Sequence, residues 1–260
     1  MPILECQKVS KAYGGLLAVS DLSFAVEPGE IYAIVGPNGA GKTSLFDCIS
    51  GVNPATSGVI KFQDREIQGL RAHQISRLGL ARTFQTTVAF DSQTVLTNVL
   101  VGGAFGREGE RPTLTFNTRA QDDALDALAL CGLGDQQRTL AGQLPVLARK
   151  RLMLATALAM RPRMLLLDEP FGGLNPAERT QMIELIRTVA KTGNESGVTI
   201  LMIEHVMKAV QALADRILVI HHGQQIAVGP PSKVLRDRKV IEVYLGNVMP
   251  VTTEPAATDA

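Results

Sequence analysis

The stretch GPNGAGKT, Gly36 to Thr43, restricts what this chain can fold into more than any other part of it. It fits the pattern GxxxxGK[ST]. It sits between IYAIV (31–35), an apolar run of strand length, and LFDCIS, which keeps a helical register until Gly51. A short, continuously apolar strand is expected at the centre of a sheet covered on both faces. Strand, glycine loop and helix in this order make a phosphate-binding turn. Gly36, Gly39 and Gly41 let the backbone curl until its N–H groups face phosphate oxygens. The helix starting at Lys42 points its positive end at the same charge. Lys42 then bridges the β- and γ-phosphates, and the Thr43 hydroxyl is placed to ligate Mg²⁺. The expected binding set is Gly36, Pro37, Asn38, Gly39, Ala40, Gly41, Lys42, Thr43 and Ser44.

A second constellation closes the apolar run MLLLDEP with Asp168 and Glu169. A carboxylate at the end of a buried strand beside a phosphate loop holds Mg²⁺ through water. A second carboxylate next to it polarises the attacking water. His205 follows VTILMI (198–203), another buried-strand run, where phosphate-sensing groups gather in open α/β sheets. RILVI (216–220) is a further such strand. ILECQKV and DLSFAV alternate, the latter with Leu22, Phe24 and Val26 on one face. A strand is expected at Val59 to Phe62, a turn at Asp64-Arg65 and a short strand near Leu80 to Thr83.

From about residue 86 strand signals fade. QDDALDALALCGLG reads as an amphipathic helix ending at Gly132, and residues 146–160 as another, stopped near Pro162. Asn175-Pro176-Ala177-Glu178 is a helix start, with an Asn cap, Pro at the first position and Glu at the third. Residues 247–260 lack periodicity and read as a disordered tail.

Composition excludes several classes. Net charge is +1, so no global field draws the chain to nucleic acid. The bases that do cluster are Arg149, Lys150, Arg151, Arg161 and Arg163. Cys6, Cys48 and Cys131 are odd in number and unpaired by spacing, so buried free thiols are expected rather than disulfides or a zinc site. No basic-then-apolar leader opens the sequence, and no apolar run approaches the ~20 residues that span a bilayer. Mean hydropathy is +0.12 with 20% charged residues, which fits a well-filled core, surface reserved for partners, or both.

Together these residues resemble the nucleotide-binding subunit of ABC transporters over residues 3 to about 246. GPNGAGKT is similar to that family's Walker A sequence, Gln85 in ARTFQ to its Q-loop and MLLLDE to Walker B. GGLNP (172–176) is similar to the D-loop, and His205 in IEH to the switch histidine. The resemblance narrows to the Liv-type ATPases of branched-chain amino-acid importers through YGGLLAVSDLSF, ARTFQ, DEPFGGLNP, IEHVM and VGPPSKVLRDRKVIEVYLG. It implies an α/β fold: a P-loop NTPase core of the ABC type, an inserted helical subdomain at about 86–160 and an antiparallel β subdomain.

The resemblance also implies roles. Tyr13 stacks on adenine. Gln85 contacts Mg²⁺ and senses the membrane subunit. Glu169 is the general base, and His205 contacts the γ-phosphate. Thr43, Gln85 and Asp168 form the metal set. ATP and Mg²⁺ are the implied cofactors. Transmembrane permease subunits, contacted through residues around 86–105, and a second ATPase subunit, unlike or identical, are the implied direct partners. A substrate-binding protein acts indirectly. The implied place is the cytoplasmic face of the inner membrane. ATPases of lipid or lipopolysaccharide export and soluble non-transport ABC ATPases are the alternatives.

One stretch departs from the pattern. Where most of the family has LSGGQ, this chain has LPVLA, at the start of LPVLARKR (144–151). In the family that segment of one subunit covers the γ-phosphate on the P-loop of the other. Pro145 has neither hydroxyl nor N–H, and Val146 and Leu147 add bulk where glycine allows close approach. A helix N-terminus remains, with Pro145 expected at its first position and the N–H groups of Val146 to Ala148 free to face phosphate.

Overall fold

The computed structural model describes residues 1–84, 89–105, 118–192 and 197–245. Gln85 and the 247–260 tail lie outside the described residues. The strands are β1 (Leu4–Tyr13), β2 (Leu16–Val26), β3 (Ile31–Val35), β4 (Ser57–Phe62), β5 (Arg65–Glu66), β6 (Leu80–Arg82), β7 (Met164–Asp168), β8 (Thr199–Ile203), β9 (Arg216–His221) and β10 (Gln224–Gly229). The helices are α1 (Lys42–Ser50), α2 (Ala72–Arg77), α3 (Val95–Phe105), α4 (Thr118–Leu130), α5 (Val146–Ala159), α6 (Pro176–Lys191), α7 (Met207–Leu213), α8 (Pro231–Val234) and α9 (Arg238–Leu245).

A central sheet runs β10-β9-β3-β8-β7-β6, and an antiparallel sheet runs β2-β1-β4-β5. In the central sheet β6, β7, β8, β3 and β9 are mutually parallel, and β10 turns back along β9. Every residue of β3, β7 and β8 is buried, because apolar layers cover both faces. Alternation along β3 divides them. Ile31, Ala33 and Val35 enter a core shared with α3 to α7. Tyr32 and Ile34 enter one shared with α1 and the antiparallel sheet. Leu22, Phe24 and Val26 of β2 point into that second core, as their alternation predicts.

Local chemistry explains the boundaries. Gly51 ends α1 at φ 71°, a left-handed conformation that glycine adopts without steric cost. Asn175 caps α6 by accepting from the Glu178 N–H at 3.0 Å, and Glu178 accepts from the Asn175 N–H at 2.9 Å. At α5 the expectation shifts by one place: Pro145 is the cap, not the first helical residue, and extended backbone there (φ −66°, ψ 165°) starts the helix at Val146. The basic cluster dissolves into separate pairs. Arg149 meets Asp91, Arg151 meets Gln181, and Arg161 meets Asp123 and Asp126. Cys6, Cys48 and Cys131 are buried free thiols.

Candidate functional site

The site lies where the parallel strands end, the edge at which open α/β sheets place ligands. The glycine loop leaves β3, Asp168 and Glu169 end β7, His205 follows β8, and Arg82 ends β6. Two loop glycines are dictated by close approach. A Cβ on Gly36 would stand 2.1 Å from the Ile220 carbonyl oxygen of β9, and one on Gly41 2.1 Å from that of Ala18 on β2. Gly39 has open space around it, and its φ of +78° supplies the reason for glycine there.

Lys42, the first residue of α1, is 7% exposed, and its Nζ donates to the Gly36 and Pro37 carbonyls at 2.8 Å each. Burial pushes this ammonium below the usual lysine range, while Glu169 and Asp168 pull it back. Those two carboxylates are therefore near enough for their charge to act on the loop lysine. Thr43 is exposed in the first helical turn.

Asp168 is buried, and burial raises its carboxyl above the usual range against the opposing pull of Arg82. Arg82 is a site residue that the sequence reading missed. Its guanidinium reaches Asp168 Oδ2 at 3.0 Å, Asp47 Oδ1 at 2.7 Å and Ser50 Oγ at 2.9 Å, so it joins β6, β7 and α1. It also lies over the Phe46 and Phe84 rings, 5.5 and 5.0 Å from their centroids. An arginine beside a short strand gives no sequence signal for this, because its acceptors come from segments far apart in the chain.

Glu169 has φ 48°, rare for a residue with a side chain. Its N–H donates to the Ile203 carbonyl at 3.0 Å, and its Oε1 stands 3.7 Å from His205 Nδ1. Tyr13 is 42% exposed at the end of β1, with the Lys11 ammonium 4.8 Å from its ring centroid. It belongs to the β1–β2 pair whose Ala18 carbonyl abuts Gly41. The structure thus gathers Lys42, Asp168, Glu169 and His205. The 144–148 segment leads into α5, with Leu144 and Ala148 buried and Pro145 and Val146 exposed.

Known proteins resemble this chain over nearly its whole length. A family model described as "ABC transporter" matches residues 19–172, and one described as "Branched-chain amino acid ATP-binding cassette transporter" matches residues 224–248. The chain is 39% identical over 256 residues to the high-affinity branched-chain amino acid transport ATP-binding protein LivG of Escherichia coli (strain K12), covering 94% of this chain and 98% of that one. It is 38% identical to BraF of Pseudomonas aeruginosa, a protein of the same description, with the same coverage. Among solved structures, the ADP conformation of an ATP-binding cassette of an ABC transporter superposes with a TM-score of 0.85. That match has 29% identity and covers 95% of this chain and 99% of that one.

Proposed function

The chain belongs to the ABC transporter family, and from that premise we propose that it is the ATP-binding and ATP-hydrolysing subunit of an importer of branched-chain amino acids. The observation that carries this is that Asp168 and Glu169 act on the loop lysine Lys42, with His205 3.7 Å from Glu169, in a chain alike over nearly its whole length to LivG. The match at 224–248 to the branched-chain model favours amino-acid import over lipid export. Residues 3–246 form one nucleotide-binding unit, with its helical part at about 86–160.

The loop N–H groups and Lys42 bind the phosphates, and Tyr13 stacks on adenine. Glu169 takes a proton from the attacking water, and His205 contacts the γ-phosphate. Thr43 and Asp168 offer the hard oxygen donors that Mg²⁺ prefers, and Gln85 completes their set. Mg²⁺ would need only one or two protein oxygens here beside substrate phosphates and water, which suits so small a donor set. When bound, the ion neutralises charge that develops on the transferred phosphoryl group.

No helix among the described residues is long and apolar enough to cross a membrane. On the likeness to LivG, permease subunits carry the transport path, and this chain docks on their cytoplasmic side through residues around 86–105. Phe84 and Phe90, 45% and 58% exposed, flank the start of that stretch. In the pairing that the family resemblance implies, the second ATPase is an unlike subunit, and LPVLA covers the phosphate loop of that partner. One charge-assisted hydrogen bond lost at the phosphate that LPVLA covers costs ~1.5–3 kcal/mol, or roughly 10- to 150-fold in rate. The weakened site is the partner's, and the site built on Lys42 and Glu169 is closed by the partner's own signature segment.

Glu169→Gln in the assembled transporter tests both ideas by phosphate release and amino-acid uptake. General-base loss removes ~10²–10⁴-fold from this chain's site, so less than about a tenth of the ATPase survives, with ATP still bound. Survival of more than half would overturn the assignment of the working site.

A further inference from the structure

Glu204 is 0% exposed, and no step above uses it. Its carboxylate accepts three backbone N–H bonds: Oε1 from Phe171 at 3.0 Å, and Oε2 from His205 at 3.0 Å and Val206 at 3.1 Å. Phe171 lies two residues past Glu169, and His205 is the next residue along the chain. The ladder between β7 and β8 ends at the Glu169 N–H to Ile203 bond. Beyond it, the Glu204 carboxylate continues the connection between the two loops that carry Glu169 and His205.

A buried carboxylate persists only where hydrogen bonds and opposite charge offset its desolvation. Here three backbone N–H groups supply those hydrogen bonds. Lys150 Nζ donates to the Glu169 carbonyl at 3.1 Å. The left-handed turn at Glu169 is therefore gripped at its carbonyl by Lys150 and two residues later by Glu204. Backbone held in a sparsely populated conformation keeps its shape only when its surroundings over-determine it.

We propose that Glu204 is a positioning residue for ATP hydrolysis, which locks the turn bearing Glu169 to the loop bearing His205 in a clamp that Lys150 completes from α5. This rests on the reading of Glu169 and His205 given above. The clamp has no bond to the phosphate loop or to Tyr13, which hold most of the nucleotide, so it acts mainly on turnover and only slightly on affinity through the γ-phosphate contact of His205. It also ties the helix behind the LPVLA segment, which covers one nucleotide, to the base that serves the other.

The experiment is a double-variant cycle in the assembled transporter. Glu204→Gln places an amide N–H₂ against backbone donors while keeping the side chain's shape. It is expected to lower kcat at least tenfold, with KM and the Kd for ATP within twofold of wild type. In a His205→Ala background the same change is expected to cost less than in the wild type, because one of the two groups it positions is gone while Glu169 remains. The proposal is overturned if kcat stays within twofold, if kcat falls together with ATP affinity, or if the two losses multiply in full. Should Glu204→Gln not fold, Lys150→Met decides: a tenfold fall in kcat at unchanged Kd supports the clamp, and unchanged kcat overturns it. Wild type and Glu169→Gln measured alongside test the base itself, so a failure of that reading is seen separately.

Discussion

Replacing Arg82 by Met keeps an unbranched stem between Phe46 and Phe84 and removes only the guanidinium. The Arg82 side chain is 6% exposed, and its ion-pair partners Asp168 and Asp47 are 4% and 18% exposed. Removing the cation leaves two desolvated carboxylates without their counter-charge, and breaking a buried pair in this way costs about 3–5 kcal/mol. For a chain of this size that lowers Tm by roughly 6–20 °C. Urea unfolding of the nucleotide-free chain measures the loss without involving catalysis. Asp168→Asn in the Arg82→Met background removes one stranded charge and is expected to restore at least 1 kcal/mol on the same scale. A single-variant loss below about 1 kcal/mol, the range of an exposed pair, would refute the reasoning. So would a double variant no more stable than Arg82→Met alone.

Gly41→Ala and Gly39→Ala separate two reasons for glycine in the phosphate loop. The first meets the Ala18 carbonyl at 2.1 Å and the second meets nothing within 4 Å. The left-handed backbone alone costs about 1–2 kcal/mol, so Gly39→Ala is expected near that value and Gly41→Ala well above it in urea unfolding; equal losses would refute the contact. The cysteines set an alkaline limit. Burial pushes the Cys48 thiol up to about 11 and the Cys131 thiol up to about 12, from 9.0. Above pH 9 the unfolded chain sheds thiol protons that the folded chain keeps, so their stability contribution is full below 9 and lost as pH rises toward 11–12. At pH 10 this removes about 1 kcal/mol per thiol. The urea midpoint measured at pH 8 and pH 10 is expected to fall more in wild type than in a Cys48→Ala, Cys131→Ala variant; identical falls would refute it.

Elements whose logic is local were legible in the sequence. GPNGAGKT names its own turn because spacing, glycine and the flanking apolar strand all act within about twenty residues. IYAIV, MLLLD and TILMI announce central strands because burial on both faces leaves no alternation to read. Asn175 and Glu178 announce a helix start because the capping box closes within four residues. Elements that lean on distant partners stayed illegible. The half-exposed edge strand β10 takes its register from β9, and α2 has only six residues of pattern. Nothing local in the sequence pairs Arg82, Lys150 or Glu204 with the groups they meet. Only the tertiary structure brings Asp47 and Asp168 to Arg82, and Phe171 to Glu204, over separations of 35, 86 and 33 residues. Local sequence specifies which atoms are available for chemistry, while the cost of burying charge is decided by which distant groups the fold places around them.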